Sequence, residues 1–241
     1  MSGGFGSRLN SLSPLVRYLI STIYPPAPFI NVISNVERKN IKNEIFSRKV
    51  ILDIGSGISK GPGKWLWKDV DRERYKKLDI IHGDDIDIVA SALDMPFGNC
   101  EVDAVILQSV PEHIEDITAL FSEVQRVISK GGIVYVEMPF LQGQHGDPND
   151  YWRCTPAGMN FLLGDDFTLL SGGVSAGPIG SLIWIISDLL SNILPFTILN
   201  IIIRFMIRWL LSPFRYVDTL LLNTRASKRL AAENYFLYQK K

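Results

Sequence analysis

The chain of 241 residues balances 25 Lys+Arg against 25 Asp+Glu, and 46% of it is hydrophobic. That length suits one large α/β domain or two small ones, and the level charge offers no electrostatic footprint for nucleic acid. Two cysteines without a CxxC, and three histidines scattered along the sequence, argue against a disulfide scaffold or a zinc site, so no metal is expected and a reducing compartment fits.

In chain order, residues 1–48 read as a helical cap, broken at Tyr24-Pro25-Pro26-Ala27-Pro28. The apolar stretch from Leu12 to Ile23 is interrupted by Pro14 and Arg17, which does not suit a signal peptide. Strands are predicted at Val50–Ile54, Tyr75–Ile80, Ile86–Ala90, Val102–Leu107 and Ile133–Met138. The clearest helix is Ile117–Ile128, where Leu120, Phe121, Val124, Val127 and Ile128 share a face and Gly131-Gly132 supplies a stop. Two more strands are predicted at Phe167–Ser171 and Tyr235–Gln239. Alternating strands and helices of this length imply an α/β fold with a parallel sheet and right-handed crossovers. Charge is unevenly spread: Asp84 to Glu123 contains no Lys or Arg, whereas basic residues dominate after Asp188.

The first strand runs into Asp53-Ile54-Gly55-Ser56-Gly57. A buried strand that ends in glycines lets the backbone turn tightly and approach a ligand. A dinucleotide fingerprint would need a third glycine where Lys60 stands, which disfavours a nicotinamide-dependent oxidoreductase. Asp79 ends the second strand, where a carboxylate can accept two ribose hydroxyls.

The ordered set D-I-G-S-G (Asp53–Gly57), L-D-I (Leu78–Ile80), the block from Asp87 to Val105, E-H-I (Glu112–Ile114) and Gly131-Gly132 resembles the class I S-adenosylmethionine-dependent methyltransferases, close to the methyltransferase type 11 group. A further segment, D-Y-W-R-C-T-P at Asp150–Pro156, resembles one in methyltransferase-like proteins associated with surface-glycan gene clusters. The resemblance implies a Rossmann-like sheet of seven strands, mostly parallel with the last strand antiparallel, and an apolar helical insertion before that last strand. The implied layout is a cap at 1–48, a cofactor-binding domain at 49–177, the insertion at 178–228 and a closing strand within 229–241.

The resemblance also implies roles. Asp53, Gly55 and Gly57 would lie under the methionine part of S-adenosyl-L-methionine, Asp79 would hold the ribose, and Ser91, Ala92 and Leu93 would face the adenine. Ser91 replaces the usual Asp, and Ser59 stands where a third small residue, commonly glycine, is expected. Methyl transfer to a hydroxyl benefits from a base. His145 is the candidate, in a polar aromatic loop with Asp147, Asp150, Tyr151 and Arg153; Asp150, Tyr151, Arg153 and His113 are the expected substrate contacts. A structural lid in which Asp150 pairs with Arg153 is the competing reading of that loop, and a helix-start role competes for His113.

Pro178–Leu222 is very apolar, yet Ser181, Asp188, Ser191 and Pro195 form one polar stripe and Thr197, Asn200, Arg204, Arg208 and Ser212 another. Charges at Asp188, Arg204 and Arg208 interrupt every window long enough to span a bilayer, so two amphipathic helices broken at Pro195 are expected. They suit either a membrane surface, with Arg225, Lys228 and Arg229 near anionic headgroups, or a cover for the domain or a dimer interface. The expected activity is methylation of a sugar, lipid-linked glycan or small-metabolite oxygen, in the cytoplasm or at the inner face of the membrane. A non-catalytic module for partner or membrane binding is the alternative.

Overall fold

In the computed structural model, residues 25–57, 66, 73–145, 149–193, 195 and 197–241 are described. The first half of the expected N-terminal cap, together with Ser59, Lys60 and Asp147, lies outside them.

Helix α1 (Asn35–Phe46) buries Ile41 and Ile45 and is capped by the Ser34 hydroxyl, which accepts from the Glu37 amide. The sheet follows: β1 (Ile51–Ile54), β2 (Tyr75–Asp79), β3 (Ile88–Val89) and β4 (Val102–Gln108). A single 3-10 turn (Pro111–His113) leads into α2 (Ile117–Val127), then β5 (Ile128–Pro139), α3 (Pro156–Leu163) and β6 (Phe167–Ala176). The helical insertion comprises α4 (Pro178–Ser191), α5 (Thr197–Leu211), a 3-10 segment (Ser212–Val217), α6 (Asp218–Leu221) and α7 (Arg225–Arg229), before β7 (Glu233–Lys240) closes the chain.

All seven expected strands form one sheet in the order β3-β2-β1-β4-β5-β7-β6. β1 to β5 pair in parallel, and β7 runs antiparallel to both β5 and β6. Because β7 alone is reversed, it can slot between β5 and β6 after the insertion returns the chain to the same edge. The near-continuous apolar runs of β1, β4 and the second half of β5 reflect burial on both faces. Leu52, Ile54, Val105, Leu107, Val134 and Val136 pack on the α2 face, while Ile51, Tyr75, Ala104, Ile106, Ile133 and Tyr135 pack with α1.

Several boundaries differ from expectation: β3 is only Ile88–Val89, β5 starts at Ile128 rather than Ile133, and β6 runs on to Ala176. α2 stops at Val127, and Ile128 is already extended and paired with Val102. Buried pairing at Ile128, which is 0% exposed, ends the helix before the glycines are reached. Gly131, at φ +76, lies within β5 where its register against β4 shifts.

Candidate active site

The chain order places β1 beside both β2 and β4, so consecutive crossovers leave in opposite directions at the β1/β4 junction. Ligands bind open α/β sheets at that switch point, outside the carboxyl ends of the strands. Gly55 and Gly57 emerge there with φ of +65 and +53, backbone geometry that favours glycine. A Cβ on Gly55 would stand 2.5 Å from a Val110 methyl, so the loop and the segment after β4 are in close contact. Asp79 secures the loop from the side: one carboxylate oxygen accepts from the Gly57 amide at 2.9 Å, the other from Ile81 at 3.0 Å. Its remaining lone pairs leave room for ribose hydroxyls.

Asp53, expected under the methionine part of the cofactor, lies in β1 just before the loop. It is 1% exposed, and its carboxylate accepts the Tyr75 hydroxyl at 2.5 Å. Burial pushes its pKa well up, against the pull of that bond and of Lys77; the Asp79 charge nearby adds to the rise. Its part is to brace β1 against β2 beneath the glycine loop. The Ser91 hydroxyl accepts from the Leu93 amide at 3.1 Å, a partly exposed contact within its own turn. Ala92 is buried and Leu93 is exposed, as a wall for a planar ring requires. Arg126 of α2 holds this stretch, donating to the carbonyls of Met95 (3.1 Å) and Phe97 (2.7 Å) and pairing with Glu123 at 2.6 Å.

The loop after β5 comes to the same edge. The Tyr151 amide donates to the Glu112 carbonyl at 2.7 Å, and the Trp152 indole donates to the Ile114 carbonyl at 2.9 Å, fastening it to the segment after β4. Asp150 and Arg153, both expected at the substrate, meet each other at 2.6 Å. Asp150 also accepts from the His145 amide at 2.7 Å, and Arg153 donates to the carbonyls of Gln142 and Gly143. The guanidinium holds the Asp150 carboxyl down at about 2. This is the lid-like arrangement: their charges organise the loop. Tyr151 remains available at 43% exposure, its hydroxyl taking a bond from the Asn149 amide group.

His145 and His113 are brought edge to face, with ring centroids 5.7 Å apart. Between them lies Glu112, fully buried and with no hydrogen-bond partner on either oxygen. His145 also touches Trp184 of α4 (5.5 Å), which stacks on Phe29 at 5.3 Å. Glu112 was visible only as part of E-H-I, and Trp184 only as one more apolar residue of the insertion; neither carried a signal of its own.

The cradle fits a polar cofactor. The Ser56 hydroxyl, inside the glycine loop, is buried without a partner, and the two positive-φ glycines keep side chains out of the space beside it.

A family model described as "Methyltransferase domain" matches residues 52–136, about a third of the chain. No curated protein matches the sequence. Among solved structures, the [4+2]-cyclase SpnF is similar at 14% identity and a TM-score of 0.51, over 94% of this chain and 92% of that one. A protein assigned as a sarcosine dimethylglycine methyltransferase, from Galdieria sulphuraria, is similar at 15% identity and a TM-score of 0.50, over 86% of this chain and 83% of that one. The chain has the methyltransferase fold. The domain match spans the glycine loop, Asp79, Ser91–Leu93 and the segment carrying Glu112 and His113, and it supports S-adenosylmethionine as the cofactor. Fold alone does not fix the reaction.

Proposed function

We propose that the protein is an S-adenosylmethionine-dependent methyltransferase acting on an oxygen of a sugar, glycan intermediate or small metabolite near a membrane. The observation that carries this reading is the glycine loop at the switch point, tied to Asp79 through the Gly57 amide and bordered by Val110. Bound there, the cofactor supplies an electrophilic methyl group on a sulfonium, and the C–S electron pair stays with sulfur when the methyl leaves. The chain's own tasks are to hold an acceptor hydroxyl in line with that carbon and to receive its proton. Val110 links the cofactor loop to Glu112 and His113, so the acceptor is expected between that segment and the loop carrying His145 and Tyr151. His145 is the base on this reading, and exposed Tyr151 suits contact with a sugar ring.

The membrane part of the reading rests on the insertion. The two polar stripes meet at a partly exposed seam: Arg204 meets Asp188 at 3.3 Å and donates to Ser191 at 3.1 Å, and the Arg208 guanidinium lies 5.8 Å from the Trp184 ring. Large apolar residues are left outside, including Leu189, Ile198, Ile201, Leu210 and Leu220. Among the described residues no helix is long and apolar enough to cross a membrane. A helix pair that is polar within and apolar without suits partial immersion at an interface.

Calorimetry with S-adenosylmethionine tests the reading: binding is expected, and no heat at millimolar cofactor removes it. Asp79→Ala is expected to weaken affinity by about 1–3 kcal/mol through lost charge-assisted hydrogen bonds. Incubation with labelled methyl donor and a cell-envelope glycolipid extract then identifies the acceptor fraction. A non-catalytic module is the second reading, favoured by Ser91 in place of the usual Asp, with its hydroxyl already accepting from Leu93; the same calorimetry separates the two.

A further inference from the structure

Glu112, His113 and His145 form a cluster that the cofactor site does not use. Glu112 is 0% exposed, and neither of its carboxylate oxygens has a hydrogen-bond partner. An unpaired buried carboxylate is costly to keep. Two imidazole nitrogens face the same oxygen: His113 Nε2 and His145 Nε2 each stand 3.9 Å from Glu112 Oε1. The opposite nitrogen of each ring lies at a backbone carbonyl, His113 Nδ1 at 2.6 Å from Asn149 O and His145 Nδ1 at 3.1 Å from Gly143 O.

A carbonyl only accepts, so each Nδ1 carries a hydrogen, and in the neutral imidazole each Nε2 then keeps a lone pair. Arg153 Nη2 lies 3.3 Å from His145 Nδ1, but it makes shorter bonds to Gly143 O at 2.9 Å and Asp150 Oδ2 at 2.6 Å. Its two hydrogens are thereby used. Three acceptors therefore converge, and among the described residues the cation that acts on Glu112, Arg153, is taken up by Asp150 and the loop carbonyls. We propose that Glu112, His113 and His145 bind a divalent transition-metal cation.

The chemistry and spacing fit. Imidazole nitrogen with a carboxylate oxygen suits zinc, iron, cobalt or nickel. One ligand atom from each residue can be chosen so that all lie within 4.8 Å of one another. Around a tetrahedral ion with bonds near ~2.1 Å, ligand atoms stand about 3.4 Å apart. Each Glu112–histidine gap closes to that value by roughly half an ångström, within the reach of side-chain adjustment. The carbonyls on the Nδ1 atoms already supply the outer contacts that orient metal-binding histidines. Glu112 forms the floor and both imidazoles are about a quarter exposed, so the open side faces solvent. Three protein ligands leave a coordination position for water or another oxygen donor. If that donor is the acceptor hydroxyl, the cation acidifies it and His145 serves as a ligand rather than a base; this role rests on the methyltransferase reading, whereas the binding does not.

Cobalt(II) added to the untagged full-length chain provides the test. The expected result is a single equivalent bound, with visible d–d absorption, and at least about tenfold weaker binding in Glu112→Gln, His113→Gln and His145→Gln. Glu112→Gln keeps the side-chain shape, and circular dichroism melts establish that each variant is folded; partly exposed His113 gives the readout should Glu112→Gln not fold. Absence of cobalt absorption in the wild type, or binding undiminished in the folded variants, overturns the proposal and leaves a proton on Glu112 as the neutralising partner. Calorimetry with S-adenosylmethionine on the same samples keeps the two readings apart: cofactor heat without cobalt sinks only the metal site, and cobalt without cofactor heat sinks only the enzyme.

Discussion

At the residue scale, the buried carboxylates near the carboxyl edge set how the protein responds to pH. Glu137 of β5 is 4% exposed and accepts the Tyr135 hydroxyl; neighbouring Glu233 of β7 accepts from Ser109 (2.7 Å) and Ser175 (3.2 Å). Burial, then the Glu233 charge, pushes Glu137 up to about 8 from an ordinary 4.5. Burial raises Glu233 as well. A raised carboxyl pKa means the folded protein holds a proton that the unfolded chain has released. Stability from this pair is therefore full below about pH 4.5 and falls as pH rises toward about 8. Glu137→Gln, neutral at every pH, is expected to flatten that decline by on the order of 1–3 kcal/mol between pH 5 and 8. Urea denaturation at several pH values measures it; parallel curves for variant and wild type would show that Glu137 does not carry the proton.

At the element scale, the helical insertion is closed on itself by a cap from outside its first helix. Gly177, at the N-cap of α4, has no side chain to offer, and Pro178 follows at the first position. Asp218 of α6 takes the place of a local cap, accepting from Ile179 at 2.9 Å and Gly180 at 3.0 Å. The space beside Gly177 is filled by this carboxylate, so a Cβ there would collide with it. Asp218 is 0% exposed, and its negative charge complements the helix N-terminus. Asp218→Ala is expected to cost about 1–2 kcal/mol, the range for a lost helix cap. Thermal melts would record the loss, and amide exchange at Ile179 and Gly180 would place it: protection unchanged at both would mean the cap is not what holds α4. A sequence search for caps looks a few residues away and misses an Asp so distant in the chain.

At the scale of the whole molecule, the outer face of α4 and α5 is apolar and exposed among the described residues. Charged and hydroxyl side chains have gone into the seam between the helices, which is the reverse of the usual surface helix. Flotation with anionic vesicles is expected to carry the protein upward, and Leu189→Asp with Leu210→Asp to leave it in the soluble fraction. Wild type remaining wholly soluble would instead assign the face to another protein surface.

The amino-acid sequence by itself determined every strand of the sheet and their positions along the chain. The central strands β1, β4 and β5 are buried over most of their length and so read as apolar runs, and the glycines after β1 are equally local, so composition carries that information. It also revealed the polar stripes of α4 and α5, because helical periodicity is local. Only the tertiary structure decided which way those stripes face, and that Asp150 and Arg153 satisfy each other across the turn. It alone brought His113 and His145 onto the buried Glu112, from a 3-10 turn after β4 and a loop after β5 that are adjacent only because those two strands pair. Charges and lone pairs act over a few ångströms in space, and separation along the chain does not encode that distance.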